Sequence, residues 1–515
     1  MGDLAPSTER RANWALFAAI VGSGMSFIDG TAVNVALPVL QRDLHASAAS
    51  AQWVVESYSL FLSALMLIGG SLGDIYGRRR VYAAGIALFA LASLACARAP
   101  SIEVLIAGRS LQGIGGALAT PGSLALISAN FSGAARGRAI GTWSAFSAIT
   151  AAIGPLLGGW LVQLGSWRWV FAINLPLAAL VLAVLVLRVD ESRDEGASHA
   201  LDVPGALLAT VGLGALVYGL IRLQNATFDV LGAACAVAGV LTLAGFVAAE
   251  AREPHPMVNL DLFRTRAFTA ANIYTFLLYA TLGGGLYFLP FDLINVQGYP
   301  PAEAGAALLP FIGIMFAFSR FSGGLVVQIG ARIPLSAGAA LAASGFCVFA
   351  FAGTGHSYWT TFFPGAVLLG CGGALFVAPL STTVMDSLPV SHAGVASGVN
   401  NAVARVAGLI AIAVLGIALA SVFETRLARE LASAPVSASS RAAVARQRAA
   451  IVAGVVPSGL APADVAIVGQ DVRSAFADGF RAAMLASALL ALLAALVGLD
   501  RSFAKPSLRS ATSSR

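Results

Sequence analysis

Apolar residues occur along this chain in runs of about 20 residues, and short polar loops separate the runs. A helix of that length crosses the ~30 Å hydrocarbon core of a bilayer. The pattern therefore predicts an all-α polytopic membrane protein with fourteen transmembrane helices. The predicted spans are residues 14–37, 52–73, 81–99, 102–128, 138–162, 168–188, 203–222, 229–249, 268–290, 302–329, 333–353, 358–385, 394–421 and 480–499.

The composition agrees with a surface that faces lipid. The chain has 515 residues, of which 58% are hydrophobic and only 11% are charged, whereas soluble domains carry about 25% charged residues. The 55 glycines fit closely packed membrane helices. The first apolar run, Trp14–Leu37, is too long for the core of a signal peptide, so we expect a permanent helix there.

The arginines of the short loops predict the orientation. If the N-terminus is cytoplasmic, most loop arginines fall on the inner side, including Arg78, Arg79 and Arg80. The short outer loops then hold only Arg42, Arg98, Arg168 and Arg222. Because positive charge marks the cytoplasmic side, we expect both termini inside the cell and the protein in the inner (cytoplasmic) membrane.

A weak internal repeat predicts the domain organisation. The segment Gly70–Arg80 follows the second span, and a similar glycine- and arginine-containing segment, Ser319–Arg332, ends the tenth. Such repeats are typical of transporters. We therefore predict an N-terminal six-helix bundle (1–190), two linker helices (191–262) and a C-terminal six-helix bundle (263–515). A long extracytoplasmic loop, 422–479, lies within the last part.

Two motifs have a physical rationale as moving parts. In GSLGDIYGRRR, glycines including Gly70 and Gly77 permit a tight turn, and Asp74 can pair with an arginine or cap a helix start. The motif predicts a latch on a cytoplasmic gate, or alternatively only a positively charged membrane anchor. In AIGPLLGG, Pro155 bends the helix and the glycines permit close contact; the alternative there is ordinary helix packing. The glycines of this second motif are Gly154, Gly158 and Gly159.

Taken together, these segments resemble the major facilitator superfamily, and specifically its fourteen-span drug:proton antiporters. Gly70–Arg80 is similar to the superfamily's inner-loop signature, and Gly154-Pro155 with Gly158-Gly159 is similar to its antiporter motif. The other matching segments are Arg109 with Gln112, Gly113 and Gly116 in the fourth span, Ile28–Pro38 in the first and Ser166–Pro176 at the sixth. The resemblance implies two six-helix bundles, two added helices and drug export by alternating access.

The chain also departs from the pattern of that group. Val327 stands where the first repeat has Asp74, which would weaken a latch in the second half. Asp292 replaces an aromatic residue and Ile294 a glutamine near the end of the ninth span, and Glu56 replaces a small polar residue in the second. We expect these departures to affect the choice of substrate.

Three charged residues are predicted to meet in the outer half of the membrane. At 1.5 Å per residue, Asp29 lies ~13 Å, Glu56 ~8 Å and Arg109 ~10 Å below the outer ends of their helices. Membrane charges are costly and call for partners or function, so we predict a site for proton coupling and cation recognition. The alternatives are a structural hydrogen bond for Asp29, a solvated rim position for Glu56, and a snorkelling Arg109. Asp292 is predicted to lie nearer the outer surface still, and for it we favour a solvated rim position over a functional one.

The predicted function is proton-coupled export of drugs or other amphipathic small molecules. Proton-coupled uptake of a metabolite is an alternative, as is a membrane receptor or scaffold with a transporter's fold. We expect a small-molecule substrate, protons and the lipid bilayer as partners, and a periplasmic adaptor is left open. The scattered arginines predict no nucleic-acid partner. No cofactor, metal site or catalytic activity is expected, since neither a phosphate-binding loop nor metal-ligand spacing occurs.

Overall fold

A computed structural model describes residues 6–131, 133–193, 202–224, 229–254, 256, 258–315, 317–318, 329–355, 357–387, 393–447, 456–457 and 459–503. Within these ranges every regular element is helical. The first nine helices are α1 (Pro6–Asp43), α2 (Ala48–Tyr76), α3 (Arg78–Ala97), α4 (Ile102–Asn130), α5 (Gly133–Gln163), α6 (Trp169–Ala172), α7 (Asn174–Arg188), α8 (Val203–Arg222) and α9 (Val230–Glu250).

The remaining elements follow a short 3-10 turn at Leu260–Arg264. They are α10 (Arg266–Phe291), which continues as a π-helical turn (Asp292–Val296), then α11 (Pro301–Ala306), α12 (Arg332–Ala350), α13 (Phe362–Asp386), α14 (Ala393–Ser433), α15 (Ala438–Arg446) and α16 (Val465–Gly498). A last 3-10 turn covers Arg501–Phe503.

Ten helices of the described residues are long and apolar enough to cross a membrane. The count becomes 11 if α2, which bends by 52° between Ala48–Met66 and Ile68–Tyr76, is one span. The all-helical, multi-pass architecture is therefore confirmed, while the number fourteen stays a prediction. The second-half repeat lies largely outside the described residues, because 319–328, with Val327, are not among them.

Two helices at the predicted extracytoplasmic loop are longer than their apolar runs. Helix α14 continues to Ser433, and α16 begins at Val465, so the helical structure enters the predicted loop 422–479 from both sides. At 1.5 Å per residue, the 41 residues of α14 span ~60 Å, about twice the hydrocarbon thickness. The extensions are held by Arg426, which lies 2.8 Å from Glu430 and 3.3 Å from Asp478. Hydropathy reports only the part of a helix that is apolar.

The chain divides into two compact units. The first comprises Met1–Val258, Phe288–Ala306 and Gly416–Gly479. In it, α4 packs against α2 and α3, α1 against α5, and α8 against α9. The second comprises Asn259–Tyr287, Ala307–Leu415 and Phe480–Arg515. There α12 packs against α13, and Arg266 forms a 2.8 Å ion pair with Asp500. The predicted three-part division remains a prediction.

Candidate functional site

A buried ion pair joins α1 to α4. The carboxylate of Asp29 accepts a hydrogen bond from Nη1 of Arg109, and the two side chains are 0% and 1% exposed. Because uncompensated charge in an apolar interior is very costly, each group requires the other. The arginine is therefore not a snorkelling residue.

Two amides complete the hydrogen bonding of Asp29. Its Oδ1 accepts from Nε2 of Gln112 at 3.2 Å and from Nδ2 of Asn174 at 2.9 Å. Both amide groups also donate to the hydroxyl of Ser93, at 2.7 and 3.3 Å. Asp29, Gln112 and Asn174 lie on α1, α4 and α7, and Ser93, which the two amides share, adds α3, so the network around one carboxylate connects four helices.

Arg109 extends this network to a fifth helix, α2. Its Nε donates to the backbone carbonyl of Val54 at 2.9 Å, and its Nη1 also donates to Oε1 of Gln112 at 2.8 Å. The guanidinium lies over the ring of Tyr58, 4.2 Å from the centroid, which is a favourable cation–π distance. A change in the charge of Asp29 would therefore alter the position of Arg109 and, through Arg109, the contact with α2 close to Glu56.

Glu56 is buried, but it lies apart from this cluster. Its side chain is 0% exposed, which rules out the solvated rim position. Oε1 of Glu56 accepts a hydrogen bond from Nε2 of Gln52 at 3.5 Å. The side-chain oxygen of Gln52, Oε1, accepts in turn from Nε2 of Gln224 at 3.0 Å. In the described part of the chain, Oε2 has no hydrogen-bond partner. None of the hydrogen bonds of Glu56 reaches Asp29 or Arg109, so the structure brings together two of the three predicted residues.

Asp292, like Glu56, has a buried carboxyl group with only one of its oxygens hydrogen-bonded among the described residues. It is 0% exposed, so the predicted solvated rim position is wrong for Asp292. It begins the π-helical turn, a feature often found at functional sites. Oδ2 accepts from Nε2 of Gln297 at 3.2 Å, and Oδ1 has no partner among the described residues.

The loop between α2 and α3 turns at Gly77, whose φ of +110° lies in the region that favours glycine. Asp74 pairs with Arg78 one turn later, at 2.9 Å, so Asp74 adopts the pairing role and does not cap α3. Gly70 lies against Pro121 of α4, where an added Cβ would be 3.6 Å from the proline Cβ.

Glu191 caps α3 instead. Its carboxylate accepts from the backbone N–H of Arg79 at 3.0 Å and of Arg80 at 3.2 Å, and both guanidinium groups lie 3.7 Å away. The backbone N–H of Arg78 donates to the carbonyl of Ser192 at 2.8 Å. A negative charge at a helix N-terminus is favourable. The segment that follows α7 therefore holds the loop that contains the first motif.

The glycines of the second motif lie where α5 meets its neighbours. An added Cβ on Gly158 would lie 2.6 Å from the carbonyl oxygen of Ala32 in α1, and one on Gly154 would meet Thr31. On another side, a Cβ on Gly159 would lie 2.7 Å from Cα of Ala302 in α11. The helix continues through Pro155. The motif thus allows the backbones of α1 and α11 to approach α5 closely.

Sequence reasoning missed four residues of these sites: Ser93, Asn174, Gln52 and Glu191. Ser93, Asn174 and Gln52 are polar residues inside or at the edge of apolar runs, a signal that was present in the sequence. Glu191 could not be recognised from the sequence, because the pairing of two distant segments leaves no local pattern.

The comparison with known families agrees with this architecture. Residues 19–413 match the Major Facilitator Superfamily. The chain therefore belongs to this superfamily, and it is a multi-pass membrane transporter rather than an enzyme. The resemblance inferred from the motifs is confirmed.

Its relatives include drug and antibiotic resistance proteins. The multidrug resistance protein Stp of Mycobacterium tuberculosis (strain CDC 1551 / Oshkosh) is 38% identical over 489 residues, which cover 93% of this chain and 90% of that protein. The tetracenomycin C resistance and export protein of Streptomyces glaucescens is 35% identical over 501 residues, covering 95% and 92%.

A solved structure supports the fold. A bacterial homolog to the human lysosomal transporter Spinster, in an inward-facing and unoccupied conformation, matches with a TM-score of 0.69. The match covers 97% of this chain and 98% of that one, at 17% sequence identity. At that identity the likeness concerns the fold alone.

Proposed function

We propose that the protein is a proton-coupled exporter of drugs or other amphipathic small molecules. The observation that carries the proposal is the fully buried Asp29–Arg109 pair, whose hydrogen bonds tie α1, α2, α4 and α7 together. The names of the relatives, which include multidrug resistance and antibiotic export, support the direction and the class of substrate.

Asp29 is proposed to carry the proton. Protonation neutralises its carboxylate, which weakens the attraction for Arg109 and the charge-assisted hydrogen bonds from Gln112 and Asn174. A proton that arrives from the outer side thus loosens the contacts among α1, α3, α4 and α7. Because only differential affinity for two conformations can shift their balance, this network links proton binding to alternating access.

Glu56 is proposed to recognise the cationic part of a substrate. Its Oε2 retains acceptor capacity in a buried environment, where a charge-assisted hydrogen bond is strong. Arg109 binds the backbone of Val54 two residues away. A substrate at Glu56 and a proton at Asp29 would therefore act on the same segment of α2.

The two motifs are proposed to serve the conformational change. Gly70, Asp74, Gly77 and Arg78 form a cytoplasmic latch that Glu191 closes, and Gly154, Pro155, Gly158 and Gly159 provide a close contact surface for α5. Fourteen spans, cytoplasmic termini and a location in the inner membrane belong to the same proposal. So does the division into residues 1–190, 191–262 and 263–515. If export depends on a periplasmic adaptor, the purified protein alone will not complete export and a second protein will have to be added.

The test is drug transport in proteoliposomes with an imposed pH gradient. Wild-type protein is expected to export substrate in response to the gradient, and Asp29→Asn to lose this response when rates are normalised to folded protein. Asp43→Asn, the same change at the exposed end of α1, is the matched control. An unchanged gradient response in Asp29→Asn would remove Asp29 from the mechanism. Accumulation driven in the opposite direction would favour the uptake alternative, and absence of any flux would favour a receptor or scaffold.

A further inference from the structure

A cavity lined by arginines lies near the start of α1, the start of α3 and the end of α7. Its volume is about 450 Å³, within the range of roughly 300–1,000 Å³ that is usual for small-molecule sites. Among the residues that the structure describes, four arginines line it, against a single carboxylate, that of Asp190. The arginines are Arg10, Arg11, Arg79 and Arg188. We call this cavity the arginine pocket.

The charges of this pocket are only partly compensated. Arg11 pairs with Asp190. Arg79 lies 3.7 Å from the carboxylate of Glu191 and donates to the carbonyl of Val189 at 3.0 Å. Neither Arg10 nor Arg188 forms an ion pair within the part of the chain that the structure describes. Two exposed guanidinium groups are thus available, and their planar donor geometry matches the oxygens of a phosphate group.

The remaining walls of the pocket are apolar. Trp14 belongs to the lining, and so do Val186 and Leu187, which are 71% and 73% exposed at the end of α7. A free phosphate ion would gain no binding energy from these apolar side chains. A phospholipid would gain binding energy from the arginines and from the apolar walls, because its phosphate can bind the arginines while its glycerol and acyl chains cover the apolar residues.

We infer that the arginine pocket binds the phosphate group of an anionic phospholipid. Basic pockets between membrane helices are a recurring form of anionic headgroup recognition. Arg79 belongs to the first turn of α3, Arg188 to the last turn of α7, and Arg10 to α1. The bound lipid therefore bridges α1, α3 and α7.

Lipid retention by the purified full-length protein tests this inference. Native mass spectrometry would compare phosphatidylglycerol with phosphatidylcholine, supplied in equal amounts to the protein in detergent. Wild-type protein is expected to retain phosphatidylglycerol in preference. In Arg10→Gln/Arg188→Gln, that preference is expected to fall between about five- and thirtyfold, since each arginine near an anionic headgroup contributes about a factor of five.

Two further variants separate a specific site from general basicity. Arg252→Gln/Arg501→Gln removes two other exposed arginines from the predicted cytoplasmic side and is expected to keep the wild-type preference. Arg10→Lys/Arg188→Lys keeps the charges and is expected to restore most of the binding. If the glutamine double variant keeps the full preference, the inference is wrong.

Competition with inorganic phosphate distinguishes a lipid site from a site for free anions. Inorganic phosphate is expected to displace phosphatidylglycerol only weakly, because it makes no contact with Val186 or Leu187. If inorganic phosphate binds with the dependence on Arg10 and Arg188 while phosphatidylglycerol shows none, the pocket is a site for free anions and the lipid assignment is overturned.

Discussion

Gly158 of α5 lies directly against the backbone of Ala32 in α1. A Cβ added at Gly158 would come within 2.6 Å of the Ala32 carbonyl oxygen and 2.8 Å of its Cα. Carbon atoms are not found that close, and backbone atoms cannot rotate away as a flexible side chain can. The glycine therefore sets the distance between the two helices, one of which carries Asp29.

The first prediction follows from this contact. Gly158→Ala is expected to separate α1 from α5 and to lower the free energy of unfolding by about 1–3 kcal/mol, the usual range for overpacking. Thermal unfolding of the purified protein measures the effect. Gly245→Ala in α9 is the matched control, since no atom lies within 4 Å of a Cβ added there. Equal stability of the two variants would contradict the proposed role of the contact.

The buried ion pair predicts strong coupling between its members. Asp29→Asn leaves the charge of Arg109 uncompensated, and Arg109→Gln does the same to Asp29, so each is expected to lower the free energy of unfolding by about 3–5 kcal/mol. Asp29→Asn/Arg109→Gln removes both charges and is expected to lose clearly less than the sum. Denaturation of the three variants in detergent measures this cycle. Additive losses would mean that the pair does not interact.

The buried carboxylate of Glu56 predicts selectivity for charge. Glu56→Gln removes the negative charge but keeps an acceptor oxygen, so export of a cationic substrate is expected to fall about tenfold relative to an uncharged one. The ratio of their initial export rates measures this change. Glu103→Gln, at the exposed start of α4, controls for the loss of a charge. Parallel decreases for both substrates would exclude a role in recognition.

Because Glu191 caps the start of α3, replacing it is expected to destabilise the first turn of that helix, although the two segments are far apart in the sequence. Glu191→Ala leaves the N–H groups of Arg79 and Arg80 without their acceptor, and the expected loss is about 1 kcal/mol of the free energy of unfolding. Asp190→Ala removes the neighbouring acidic residue, whose ion pair with Arg11 is exposed on both sides, and is expected to cost less. Hydrogen exchange at Arg79 and Arg80 reports the loss of the cap. Unaltered exchange in Glu191→Ala would show that the cap is dispensable.

The sequence could predict the elements and the motifs, because both depend on local properties. A helix that faces lipid must be apolar over a fixed length, and the first motif occupies a helix end that hydropathy locates. The depths of Asp29 and Arg109 also follow from counting residues along a helix. The depth of Glu56 was derived in the same way, yet its hydrogen bonds go to Gln52 and not to the pair.

The difference between these residues arises from rotation about the helix axis. Counting along a helix gives the height of a side chain but not its direction, which is set by packing against neighbouring helices. The sequence by itself therefore determined that the chain crosses a membrane repeatedly and which superfamily it belongs to. The tertiary structure alone decided the long-range partners: Gln112 and Asn174 for Asp29, and Glu191 for the start of α3. Each of these pairings joins separate helices or loops, and the distance between two such elements is a property of the folded chain.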